Sequence, residues 1–198
     1  MLTVEPFSDG SLRRMLPCLR AAAPRVSDLT PGLLYMWQEE DTLRAYGLDV
    51  ERMAAEYVPQ FGLDEEKSEA LKGWYESLVE MMREEGVTEK GHLQVNKNIL
   101  ILLNDLHAQL LKSSKHPFYS AAYYKALPFI VELRGKSAES QEKGEIENCF
   151  DALYGVMLLR AQKKEISAET ATAIDHIAKF VALLSDYYQK DKAGEVEF

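Results

Sequence analysis

Along most of the chain, apolar residues recur at the three-and-four spacing of an α-helix, and capping residues separate the periodic segments. Thr30, followed by Pro31 at the first helical position, begins the first segment, and Gly47 ends it. The other segments run from Asp49 to Val58, Asp64 to Gly86, Thr88 to about Leu111, Phe118 to Arg134, about Glu145 to Lys164, and Ser167 to about Tyr188. No segment alternates with the period of a strand. The pattern predicts an all-α fold, a single compact bundle of six or seven helices.

The predicted bundle domain occupies residues 30–190. Residues 1–29 include Pro17 and Pro24 and are predicted to form a partly irregular N-terminal arm, and residues 191–198 are predicted to be a frayed tail. Within the bundle, Pro128 lies inside a helical segment and predicts a kink. The polar segment KSAESQEKGE predicts the most mobile loop.

Composition narrows the classes of function. The net charge of −9 argues against nucleic-acid binding, because phosphate repels an acidic surface. The longest apolar run, Ile99 to Leu103, is far short of the roughly 20 residues that span a bilayer, so no membrane association is predicted. Cys18 and Cys149 are too few for a disulfide framework, and the apolar neighbours of Cys149 predict a core residue. These features suit a cytoplasmic protein.

Four segments of the chain resemble a bacterial family known as a domain of unknown function. They are YMWQ with Glu40-Asp41 and Arg44, then KGHLQVNKN, FYSAAYYKALPFIVELR and CFDALYG. The resemblance covers about Leu33 to Tyr188 and does not include the N-terminal arm. It implies an all-helical, bacterial, cytoplasmic protein and no particular chemistry.

Three predicted helices carry polar residues on their apolar faces. At about 100° per residue, Glu40 and Arg44 lie in the arc of the first helix, one turn apart, and are predicted to pair. The same placement puts His92, Asn96 and His107 in the apolar arc of the helix that begins at Thr88. Arg160 lies in line with the apolar residues of the helix that ends near Lys164, where it is either buried or emerges at the end.

Two interpretations of these residues remain open. In one, Glu40, Arg44 and Arg160 form a structural network, and the other three are satisfied core groups. In the other, the helices converge on a polar pocket for a small anionic or amide-bearing ligand, with Tyr123 or Tyr119 as a wall. The sequence also leaves open whether the aromatic segment from Tyr119 to Phe129 faces the core, a partner or a pocket.

Other candidate sites are weaker. Glu89 and His92 form a single ExxH motif, but a di-metal site in a bundle needs a second copy and further carboxylates, so neither a metal nor another cofactor is predicted. The acidic runs at Glu39 and Glu84 are interpreted as solvated faces, with Glu40 the exception. No phosphate-binding loop, nucleophile elbow or zinc-protease motif occurs.

The leading hypothesis is therefore a non-catalytic helical binding or protein-interaction domain, with a homodimer as a candidate assembly. The alternative is a small-molecule-binding or hydrolytic enzyme with a site built from Glu40, Arg44, His92, Asn96 and Arg160. The two differ in whether those side chains converge at a cavity that solvent can reach.

Overall fold

The computed structural model describes residues 29–136 and 138–198. Within these ranges it contains α-helices and no β-strand, which confirms the all-α prediction. The helices are α1 (Leu29–Ala45), α2 (Val50–Glu56), a 3-10 helix (Val58–Phe61), α3 (Glu65–Glu84), α4 (Gln94–Lys112), α5 (Pro117–Gly135), α6 (Ala138–Glu142), α7 (Glu145–Ala161) and α8 (Ala168–Lys192). The predicted N-terminal arm lies outside the described residues, except for residue 29, where α1 begins.

The chain divides into two compact units. Of the described residues, the first unit contains Tyr35–Lys97, and the second contains residues 29–34 and those of Asn98–Phe198. The prediction that residues 30–190 form one domain stays a prediction.

Three helices begin at the capping residues that the sequence indicates. The side chains of Asp49, Asp64 and Ser167 each accept a hydrogen bond from the backbone N–H three residues later. Each bond satisfies one of the donors that a helix start leaves unpaired. Thr30 behaves differently, because its hydroxyl is buried against Ser185 of α8, and α1 begins one residue earlier.

The ends of α1 and α3 are fixed by glycines, as predicted. Gly47 and Gly86 have φ of 69° and 68°, in the left-handed region that favours glycine. After α1, the N–H of Leu48 donates to the carbonyl of Leu43 at 2.8 Å, and that of Gly47 donates to Arg44 at 2.9 Å. This pair of bonds is a Schellman motif, which satisfies two carbonyls at the helix end.

One predicted helix start and one predicted loop differ from the structure. Residues 88–93 are not helical, and α4 begins at Gln94 instead of Thr88, since Gly91 has a φ of 85° that interrupts a right-handed helix. The segment predicted to be a mobile loop contains the one-turn helix α6. Helix α5 contains Pro128, as predicted, and the kink expected there stays a prediction.

Each unit has its own apolar core. In the first unit, the core residues come from α1, α2, the 3-10 helix, α3 and the loop before α4: Met36, Leu43, Met53, Val58, Leu71, Tyr75, Leu78, Val79, Met82, Val87 and Leu93. In the second unit, α5, α7 and α8 pack together with Tyr119, Ala126, Ile130, Ile146, Cys149, Phe150, Ile177, Phe180, Val181 and Leu184 fully buried. The prediction that Cys149 is a core residue is confirmed.

Candidate functional site

A buried carboxylate organises the first unit. Glu40 of α1 is inaccessible to solvent, and its Oε1 accepts hydrogen bonds from the backbone N–H of Leu93 at 2.9 Å and from Nδ2 of Asn96 at 2.7 Å. Its Oε2 lies 2.6 Å from Nδ1 of His92. Both carboxylate oxygens are therefore occupied by partners from one short stretch of the chain.

The position of Glu40 matches the electrostatics of a helix start. Leu93 directly precedes α4, and its N–H has no partner within that helix, so the carboxylate satisfies a free donor at the positive end of the helix dipole. A second carboxylate does the same one residue later, because Oε2 of Glu85 accepts from the N–H of Gln94 at 2.6 Å. Carboxylates from α1 and from the end of α3 thus bind the two N–H groups at the start of α4, where Leu93 has no capping side chain.

His92 is held on two sides. Its ring stacks on the buried indole of Trp37, with centroids 4.1 Å apart and planes 13° apart, while Nδ1 faces Glu40. Because a carboxylate accepts hydrogen bonds, Nδ1 carries the proton. The imidazole side chain is 23% exposed. His92 and Asn96 thus meet at Glu40, although His92 lies in the loop and not on the helix face that the sequence predicts.

Arg44 does not pair with Glu40, and that prediction is wrong. Its Nη1 donates to Asp41 at 2.7 Å, and its Nη2 donates to the carbonyls of Val87, at 3.0 Å, and of Gly91. The guanidinium has several donors and reaches past Glu40 to the loop before α4, whereas Glu40 is already used by the start of that helix. Arg44 therefore anchors residues 87–91 to α1.

Glu39 is also buried, which overturns its interpretation as part of a solvated acidic run. The Tyr75 hydroxyl donates to its Oε2 at 2.8 Å, and Tyr35 also interacts with the carboxyl. Burial raises the pKa of Glu39 above its ordinary value, and the two tyrosine hydroxyls partly oppose that rise. Burial and the nearby Glu39 also raise the pKa values of Tyr35 and Tyr75. The same two causes raise the pKa of Tyr57 to about 12.

The second unit holds the remaining aromatic and histidine candidates. Nδ1 of His107 lies 2.6 Å from the Tyr119 hydroxyl, and the His107 ring contacts Tyr123 and Phe180 edge-on. Burial lowers the pKa of His107, with Glu145 opposing that shift. Tyr123 donates to Glu145 at 2.9 Å. Tyr119 and Tyr123 are therefore buried in a packed aromatic cluster of the second unit.

Arg160 is exposed at the end of α7, in the second unit, so it emerges from the helix and is not buried. In the first unit, a cavity of about 440 Å³ is lined by Gly47, Leu48, Asp49, Val50, Glu51, Glu76, Val79 and Arg83. None of the candidate polar residues lines this cavity. Within residues 29–136 and 138–198, no group of three or more His, Cys, Asp or Glu side chains is arranged to hold a metal ion.

The outer face of α5 is apolar and exposed. Its exposed residues Pro117, Ala121, Tyr124, Pro128 and Val131 follow alternating spacings of four and three, and Gly135 continues the series. Tyr124 and Val131 are 63% and 60% exposed, and neighbouring Phe118 is 84% exposed. The opposite side of the helix carries the buried residues Tyr119, Tyr123, Ala126 and Ile130. We call the series from Pro117 to Gly135 the outer stripe.

A comparison with protein-family models matches residues 21–195 to a domain of unknown function, DUF4924. The chain belongs to this family. Neither the curated proteins nor the solved structures that were compared give a match. Membership of DUF4924 confirms the resemblance found in the sequence and extends it at both ends. The match includes residues 21–29 of the predicted N-terminal arm, so the expectation that the family does not include the arm is wrong for those residues. In the part of the DUF4924 chain that the structure describes, no helix combines the length and apolarity required to cross a bilayer.

Sequence reasoning missed two features of this DUF4924 chain. Glu39 lies at the edge of the apolar arc of α1, and its burial depends on Tyr75 from α3, which a single helix pattern does not reveal. The outer stripe follows a four-three series in the sequence, whereas the sequence alone leaves open whether the segment from Tyr119 to Phe129 faces the core, a partner or a pocket. An apolar count on both sides of α5 would have found it.

Proposed function

We propose that this chain is a non-catalytic helical protein-interaction domain and that its interaction surface is the outer stripe of α5. The observation that carries the proposal is that α5 is apolar on two opposite sides, of which the inner is buried and the outer is exposed. A helix that is apolar all round is typical of a buried position. A contiguous exposed apolar surface marks a place where another protein binds.

The polar residues support an interaction role over an enzymatic one. A reactive carboxylate needs an oxygen that a substrate can reach, whereas both oxygens of Glu40 are buried and occupied by internal donors. Cys149 is buried, and burial raises the pKa of its thiol, which disfavours the reactive thiolate. Arg44 is held by Asp41 and two backbone carbonyls. These groups act as structural anchors.

Gel filtration of cell extracts tests the proposal. The full chain, expressed at its natural level in its own cells, is expected to elute as a complex larger than its own 22.5 kDa. The double variant Tyr124→Ser, Val131→Ser removes the two large side chains of the outer stripe and is expected to elute as the free chain. Asp175→Ser, Lys179→Ser, which alters an exposed ion pair on α8, is the control and should leave the complex intact. A wild-type chain that elutes at the mass of one chain contradicts the proposal.

A further inference from the structure

We propose that the partner of the outer stripe is a second copy of this chain, whose α5 packs antiparallel to the first. This inference rests on the proposed function and names its partner. A four-three series of apolar residues is the pattern by which two helices pack side by side. In a two-fold dimer the same patch is used by both copies, so the stripe must be complementary to itself.

One antiparallel register satisfies that condition. It places Pro128 opposite Val131 of the second copy and Tyr124 opposite its Gly135, and the two-fold axis repeats both contacts. Gly135 is exposed, and a side chain there would meet no atom within 4 Å, so its surface is open to receive the large ring of Tyr124. A bulky residue facing a glycine is the kind of fit that close helix packing requires.

The flanking charges select the same register. Lys125 and Glu132 lie on one side of the outer stripe, and both are exposed. Lys125 has no ion pair among the described residues, whereas Oε1 of Glu132 lies 3.3 Å from Nζ of exposed Lys136, which leaves its Oε2 for a second cation. In this register, Lys125 of each copy lies opposite Glu132 of the other, which gives two attractive pairs. The next antiparallel register places Lys125 opposite Lys125. A parallel pair places Lys125 next to Ser120 and Glu132 next to Leu127, and gains no charge pair.

Light scattering of the purified full chain tests this inference by measuring its mass in solution. Charge-swap variants then distinguish a specific helix pair from non-specific hydrophobic association. At about 100 µM the wild type is expected to have the mass of two chains. Lys125→Glu and Glu132→Lys should each raise the dimer dissociation constant by roughly tenfold or more, since each turns two attractive pairs into repulsive ones. The combined variant Lys125→Glu, Glu132→Lys restores the two pairs between copies and should bind more tightly than either parent, although the new lysine lies one turn from Lys136. Lys179→Glu is the matched control on α8.

The opposing outcomes are distinct. A wild-type mass of one chain at 100 µM overturns the second copy as partner, and a combined variant no tighter than its parents overturns the register. Circular dichroism of each variant verifies that the helices remain formed, and Tyr124→Ser should dissociate the dimer without any change of charge. If the purified chain is monomeric while its complex in extracts still depends on Tyr124 and Val131, this inference fails and the proposed function stands.

Discussion

The Nδ2 of Asn96 donates to Oε1 of Glu40 at 2.7 Å, so a carboxylate of α1 binds the first turn of α4. The same oxygen accepts from the N–H of Leu93, and the other oxygen faces His92. A buried charge is stable only where such donors replace water. Glu40 therefore stabilises the first unit by fixing His92, Leu93 and the start of α4.

Glu40→Gln tests that role. Glutamine has only one acceptor oxygen and no charge, so it cannot serve all three donors, and the free energy of unfolding is expected to fall by about 1–3 kcal/mol. Urea denaturation followed by circular dichroism measures the loss. Glu56→Gln, which alters an exposed carboxylate paired with Arg52, is the control and should be unchanged within error. A Glu40→Gln variant as stable as the wild type contradicts the structural role.

Glu39→Gln is expected to become more stable relative to the wild type as the pH rises. Because burial raises the pKa of Glu39 in the folded chain, the wild type binds this proton more tightly when folded, and loses stability as the pH rises above the ordinary carboxyl value of 4.5. Glutamine keeps an acceptor for Tyr75 and has no proton to lose. The difference in Tm between Glu39→Gln and wild type should therefore become more favourable to the variant from pH 4 to pH 8. A difference that is constant, or that moves the other way, would rule out this cause.

Arg44→Lys is expected to loosen the loop before α4. A lysine ammonium does not match the fork that reaches Asp41, Val87 and Gly91 together, so stability should fall by about 1–2 kcal/mol. Hydrogen exchange of residues 87–92 should become faster than in the wild type. The control Arg52→Lys alters the exposed ion pair between Arg52 and Glu56 within α2, and it should leave the exchange of residues 87–92 unchanged. Equal exchange in both variants would remove the anchoring role of Arg44.

His107 predicts a pH dependence in the second unit. Because burial lowers its folded pKa, the unfolded chain binds the extra proton first, and stability falls as the pH drops below the ordinary value of 6.5. His107→Gln should reduce the loss of Tm between pH 7 and pH 5. Tyr119→Phe removes the hydrogen bond but keeps His107 among aromatic rings, so its pH dependence should resemble that of the wild type. If His107→Gln loses as much Tm as the wild type, other groups cause the acid sensitivity.

Local signals made much of the fold predictable. Helix caps and helix-ending glycines depend on only a few neighbouring residues, so a single sequence is enough to predict them. Examples are the caps at Asp49, Asp64 and Ser167 and the glycines Gly47 and Gly86. The burial of Glu40 and Asn96 follows from helical spacing, and it is confirmed. These predictions succeed because each rests on the geometry of a single helix.

The partners of the polar residues could not be predicted in the same way. Glu40 was expected to bond Arg44 one turn away, but its donors come from residues 92–96, more than 50 positions later in the chain. The false helix start at Thr88 also concealed the loop that brings His92 to Glu40. Which partner a buried charge selects depends on how helices pack, and that arrangement is not encoded in the periodicity of either helix.

Photo-crosslinking from position 124 tests the central claim, that the outer stripe of α5 is an interaction surface. The full chain carries a benzophenone amino acid in place of Tyr124 or, as the control, in place of exposed Lys179 on α8, and is irradiated in cells that express it at its natural level. The account predicts a discrete protein adduct from position 124, either to a second copy or to another chain, and none from position 179. Equal labelling from both positions, or no adduct from position 124, would contradict it.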